Sequence, residues 1–103
     1  MARGTKGVAY YERGNLRFHS ISIRELVSDP QFQSGYRDKL AGRSPKRFYF
    51  DGGVGERRDT WGYERGRLVA AWLLATGRKP PRARDTEGLE LAYRAASDAD
   101  AVL

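Results

Sequence analysis

The sequence predicts an α+β fold in which a small N-terminal β-hairpin packs with three or four helices in a single domain. Three observations lead there. The 103 residues are 40% hydrophobic and 12% aromatic, enough to build one thin core. Two short runs near the N-terminus alternate in polarity around a Gly-Asn pair, which suits a hairpin. From Ser22 onward, helix-capping residues recur ahead of apolar stripes with helical spacing.

Residues 1–7 read as a loose start and residues 8–21 as the hairpin, turning at Arg13-Gly14-Asn15, where Gly and Asn supply the positive φ of a tight turn. In the second strand Leu16, Phe18 and Ser20 share one face, which can be buried. Arg17, His19 and Ile21 share the other, so His19 is expected to point outward without a chemical role.

Ser22 caps a short helix, "IRELVSD", with Glu25 placed three residues on to complete a capping box. Asp29 as N-cap and Pro30 at the first position open a second helix towards Ala41, with Phe32, Tyr36 and Leu40 as its apolar stripe and Gly42 as a left-handed stop. Residues 43–57 are irregular by composition: Arg47–Asp51 is a candidate extended segment with Phe48 and Phe50 inward, and "DGGVG" turns.

The longest helical pattern starts at Asp59 or Thr60 and reaches Thr76, with Trp61, Leu68, Val69, Trp72, Leu73 and Ala75 on its apolar face. Gly62 and Gly66 fall four apart within it. Each is unfavourable by about 1 kcal/mol relative to Ala in a helix interior, so a close approach by another backbone is expected to offset them. Gly77 ends this helix, and residues 30–77 form a helix-loop-helix core. Residues 78–85 are a basic Pro-Arg connector, and residues 86–103 a C-terminal helix after Asp85 that buries Leu89, Tyr93, Ala96 and Leu103.

Charge is distributed unevenly. Residues 1–36 carry five Lys or Arg against three Asp or Glu, residues 37–84 thirteen against five, and residues 85–103 one against five. The net charge of +6 therefore resolves into +2, +8 and −4. A basic middle of this kind suits a polyanion, because each Lys or Arg that neutralises a phosphate releases condensed counterions. RNA or a ribonucleoprotein is the expected partner.

Several chemistries are excluded or unsupported. There is no cysteine and a single histidine, so disulfides, thiolate metal sites and multi-histidine centres within one chain are ruled out. "DGGVGE" lacks the Walker spacing and lysine and the dinucleotide pattern, and reads as a turn. Asp51, Glu56 and Asp59 are interrupted by Arg57 and Arg58 and read as surface electrostatics rather than a metal site. Ser44 and the tyrosines have no recognisable base beside them. No catalytic residue, metal or other cofactor is expected. The longest apolar stretch, "LVAAWLLA", is too short to span a bilayer, and "MARGTKG" is not followed by an apolar run, so a cytoplasmic protein without a membrane partner is expected.

The binding residues concentrate around the joint between the two core helices. Arg43, Lys46 and Arg47 flank an aromatic run from which Tyr49 is left outside, an arrangement that combines phosphate contacts with base stacking. Arg57 and Arg58 follow, and Arg78, Lys79, Arg82 and Arg84 extend the positive strip into the connector. Arg65 is a candidate for the same strip or for a cation–π contact with Trp61.

The order Gly35-Tyr36, Ala41-Gly42-Arg43-Ser44, Phe48-Tyr49, Arg57-Arg58, Trp61-Gly62-Tyr63 and Gly66 resembles the ribosome modulation factor family and its phage and proteobacterial relatives. The resemblance covers residues 35–67. It implies a pair of helices that binds the small ribosomal subunit near its messenger-binding RNA and silences translation. The hairpin and the acidic C-terminal helix have no counterpart in the compact members, and "KRFYFDGG" departs from their proline-aromatic loop. The functional expectation is a noncatalytic RNA- or ribosome-binding modulator. The alternative is a phage or mobile-element regulator that docks on a host enzyme or nucleoprotein through its hairpin edge or C-terminal helix. A DNA-binding accessory lacks a helix-turn-helix pattern to support it.

Overall fold

The computed structural model describes residues 7–11, 18–45 and 57–102, with side chains over residues 21–45 and 61–102. Strand β1 (Gly7–Tyr11) pairs antiparallel with β2 (Phe18–Ser22), from Gly7 opposite Ser22 to Tyr11 opposite Phe18. The proposed turn at Arg13-Gly14-Asn15 lies outside the described residues.

Ser22 ends the ribbon and caps α1 (Ile23–Ser28). The Glu25 backbone N–H donates to the Ser22 hydroxyl, and the Ser22 N–H donates to the Glu25 carboxylate, which completes the expected capping box. Helix α2 (Pro30–Leu40) starts as expected, with Asp29 accepting from the Gln31 N–H at 2.8 Å and Pro30 in the first turn.

Helix α3 (Arg57–Ala75) begins two residues before the expected Asp59. Arg57 and Arg58 are good helix formers, and no breaker separates them from the apolar stripe. Helix α4 (Thr86–Asp98) is capped by Asp85, which accepts from the Gly88 N–H at 3.0 Å. It ends well short of residue 103.

Three helices stop by one device. Gly42, Gly77 and Asp100 have φ of 76°, 71° and 60°. In each, the left-handed residue donates to the carbonyl three back, and its successor donates to the carbonyl five back: Arg43 to Asp38, Arg78 to Leu73 and Ala101 to Ala96. The turn after α4 brings back Val102, which is buried. Leu103, expected in the core, lies outside the described residues.

The core is helical. Ile23, Leu26 and Val27 of α1, Phe32 and Tyr36 of α2, Val69, Ala70 and Leu73 of α3, and Leu89, Tyr93 and Ala96 of α4 form one cluster closed by Val102. The α+β expectation is therefore corrected to a mainly helical fold. The two strands pair only with each other, and Ile21 is what they add to the described cluster, at its edge. A two-stranded ribbon has too little apolar face to act as a layer, and burial is supplied by the helices instead. Ile21 itself corrects a smaller expectation, since it was assigned to the outward face. Ala75, assigned to the apolar face of α3, is exposed at the helix end.

Two polar ties hold the elements in place. Glu90 of α4 accepts from Arg24 of α1 at 3.0 Å and from Arg94 one turn on at 3.1 Å. The Tyr36 hydroxyl donates to the Pro81 carbonyl at 2.6 Å, fastening the connector to α2. Among the described residues, no helix is long and apolar enough to cross a membrane.

Candidate nucleic-acid interface

The site is organised by the most extensive helix contact of the fold, α2 against α3. A Cβ on Gly35 would collide with the Tyr63 carbonyl oxygen, and a Cβ on Gly66 with that of Phe32. The missing side chains let the two backbones meet. Gly62 is different: a Cβ there would find its nearest atom, the Phe32 nitrogen, at 3.8 Å, an ordinary contact. The expectation of a backbone approach holds at Gly66, and its true counterpart is Gly35 on the other helix.

This close contact buries Asp38 near the end of α2. The Tyr63 hydroxyl donates to Asp38 Oδ2 at 2.6 Å, and Arg43 Nη1 donates to Oδ1 at 3.1 Å. A buried carboxylate needs such partners to remain charged. Arg43 is nevertheless 66% exposed in its side chain. Its guanidinium has five N–H donors, so one contact with Asp38 orients it while leaving donors for an anion.

Arg67 Nη1 donates to the Arg43 carbonyl at 3.0 Å, which draws a second guanidinium to the same corner. Lys39 and Arg67 both border a shallow groove of about 160 Å³ that also includes Pro45 and Leu68. The cationic corner thus comprises Lys39 and Arg67 along the groove, with Glu64 beside them, and Arg43 joined through its carbonyl to Arg67. Only Arg43 was expected from sequence. Lys39 lies in the last turn of α2 and Arg43 just beyond the Gly42 stop, so helical spacing does not relate them, and nothing local links Arg67 to residue 43.

The other expected residues divide into three groups. Lys46, Arg47 and Tyr49 lie outside the described residues, as do Asp51 and Glu56. Arg57 and Arg58 form the first turn of α3, with side chains outside the described set. Arg78, Lys79, Arg82 and Arg84 are exposed along the connector, with Arg78 over the Trp72 ring at 4.6 Å. Arg65 lies over Trp61 at 5.3 Å, the cation–π alternative rather than an open phosphate contact, and its Nε is buried without a hydrogen-bond partner.

Burial pushes the Tyr36 hydroxyl up to about 12, with the Asp85 carboxylate adding to the rise. Tyr36 therefore remains a proton donor to Pro81 rather than a base. Among the described residues no cluster of three or more His, Asp or Glu is placed to hold a metal ion. No protein-family model, curated protein or solved structure matches the chain.

Proposed function

We propose that this protein is a noncatalytic RNA- or ribosome-binding modulator that acts on translation through the corner where α2 meets α3. The observation that carries the reading is Arg43, oriented by buried Asp38 yet two-thirds exposed, with its carbonyl held by Arg67, which lines one groove with Lys39. A guanidinium already held in place loses less side-chain entropy when it takes a phosphate. The surrounding segment, residues 37–84, is also the part of the chain with a net charge of +8.

Lys46, Arg47, Arg57 and Arg58 are assigned further phosphate contacts on sequence grounds, and Tyr49 a stacking contact with a base. Arg82 and Arg84 add exposed charge on the connector. The resemblance of residues 35–67 to the ribosome modulation factor family favours the small ribosomal subunit as the target. Two glycines of that resemblance, Gly35 and Gly66, are the ones that allow the helices to touch.

The test is binding to isolated small subunits and to their naked RNA over a salt series. Affinity is expected to fall by orders of magnitude between about 50 and 200 mM salt. Reversing Lys39, Arg43 and Arg67 together to Glu should abolish binding while the helical circular dichroism persists. Salt-independent binding, or a partner retained fully after nuclease treatment, would overturn the reading in favour of a protein-docking regulator.

A further inference from the structure

A groove of about 330 Å³ lies between the end of α3, the connector and α4 and has no role assigned above. Its walls are Trp72 and Leu73, Arg78 and Lys79, and Leu91 and Ala95. Leu91 is 69% exposed, and Leu74, next to groove residue Leu73, is 50% exposed; they are the exposed large hydrophobics among the described residues.

We infer that this groove is the interface of a symmetric dimer, filled by the same face of a second copy of the chain. The first argument is shape. A projecting Leu91 and an open apolar groove lie on one patch, so a two-fold axis can place each Leu91 in the other copy's groove. A self-complementary patch of this kind is what an isologous contact requires. The groove-lining residues of α4, Gly88, Leu91, Ala92 and Ala95, follow the i, i+3, i+4, i+7 spacing of one helical stripe and present a straight seam.

The second argument is charge. One wall is basic, with Arg78 and Lys79. The other is α4, where exposed Glu87 directly precedes groove residue Gly88 and stands four residues before Leu91. A two-fold axis can bring each Glu87 opposite the other copy's basic wall, so the complement to the groove is present in the chain itself. Nucleic acid suits it less well. Arg78 already covers one face of the Trp72 ring, and the exposed carboxylate of Glu87, adjacent in sequence to groove residue Gly88, would repel a phosphate backbone. The inference does not depend on the proposed RNA contact. It removes Arg78 and Lys79 from the phosphate-binding set and leaves Arg82 and Arg84.

Sedimentation of the full chain over about 1 μM to 1 mM should show a monomer–dimer equilibrium. Leu91→Asp, at a position too exposed to unfold the helix, should raise the dissociation constant about tenfold or more with unchanged circular dichroism. Lys79→Glu and Glu87→Lys should each weaken self-association, because like charges then face one another in both halves of the interface. Mixing these two variants should restore a dimer, since both halves regain opposite charges. A chain that stays monomeric throughout, or a Leu91→Asp variant that associates like the native chain, overturns the inference. Association that appears only with added single-stranded RNA and disappears with nuclease also overturns it, and assigns the groove to nucleic acid.

Discussion

Gly35 of α2 and Gly66 of α3 are reciprocal contacts: each lies against a backbone carbonyl of the opposite helix, at Tyr63 and Phe32 respectively. A helix gains about 1 kcal/mol when an interior Gly becomes Ala, provided nothing blocks the methyl group. Here the obstacle is backbone, which cannot rotate away.

Gly35→Ala and Gly66→Ala should therefore each destabilise the fold by about 2–3 kcal/mol, near the upper end of overpacking effects. Gly62→Ala should instead be neutral or stabilising by up to about 1 kcal/mol, because its Cβ meets ordinary contact distances. Urea denaturation of the three single variants checks the contrast. Equal effects at all three positions would show that the two backbones do not meet as described.

Tyr36 links this helix pair to the connector and sets an alkaline limit on stability. Its hydroxyl is raised from its ordinary value of 10.0 to about 12, chiefly by burial and then by Asp85. A group with a raised folded-state value gives stability that is fully present below pH 10 and lost as pH rises towards 12. Tyr93 is also raised by burial, with Arg65 acting against the rise, so part of the alkaline slope belongs to it. Tyr36→Phe should reduce stability at neutral pH by about 1 kcal/mol through the orphaned Pro81 carbonyl, and should make the fall above pH 10 shallower. Unfolding free energies on both sides of pH 10 decide this.

Glu90 sets the corresponding acid limit. Hydrogen bonds from Arg24 and then Arg94 hold its carboxyl below the ordinary value of 4.5. Its contribution is present above that value and disappears as pH falls through the lowered one. Both arginines are substantially exposed, so the effect is screened and should stay below about 1 kcal/mol. Glu90→Gln should flatten the acid side of the stability profile below pH 4.5 and leave the alkaline side unchanged.

The helix ends show how much of this fold could be read from local sequence. Ser22 with Glu25, Asp29 with Pro30, and Asp85 each stand two or three residues before an N–H that has no carbonyl partner within its helix, so their roles follow from spacing alone. Gly42 and Gly77 were legible for the same reason. The α+β class failed because alternation identifies a strand but not whether the sheet is wide enough to carry a core. Tyr63 donating to Asp38 spans 25 residues, and Arg67 reaches Arg43 across 24, so no local pattern announces either contact. Part of the cationic corner was hidden for that reason. The third stop, Asp100, was missed because Asp rarely occupies the left-handed region that Gly adopts freely.

Asp100 accordingly offers a stabilising substitution. Its φ of 60° carries a steric penalty that Gly does not incur, and its side chain is exposed. Asp100→Gly should raise stability by about 0.5–1 kcal/mol without altering the core, partly offset by the greater freedom of the unfolded chain. Thermal unfolding checks it. A loss of stability would indicate that the Asp carboxylate contributes more than its backbone strain removes.

The Asp38–Arg43 pair separates positioning from contact at the proposed RNA surface. Arg43→Gln removes a phosphate contact, so the slope of log affinity against log salt should become shallower by about 0.7 for single-stranded RNA. Asp38→Asn removes no cation. It weakens the hold on Arg43 and replaces a charge-assisted acceptor for the Tyr63 hydroxyl, which should lower stability by about 1–2 kcal/mol. RNA affinity should then fall severalfold with the salt slope unchanged, because the same number of phosphates is still neutralised. Adding Asp38→Asn to Arg43→Gln should cause little further loss of affinity if Asp38 acts through Arg43. A full additional loss in the double variant would show that Asp38 supports binding through the fold as a whole.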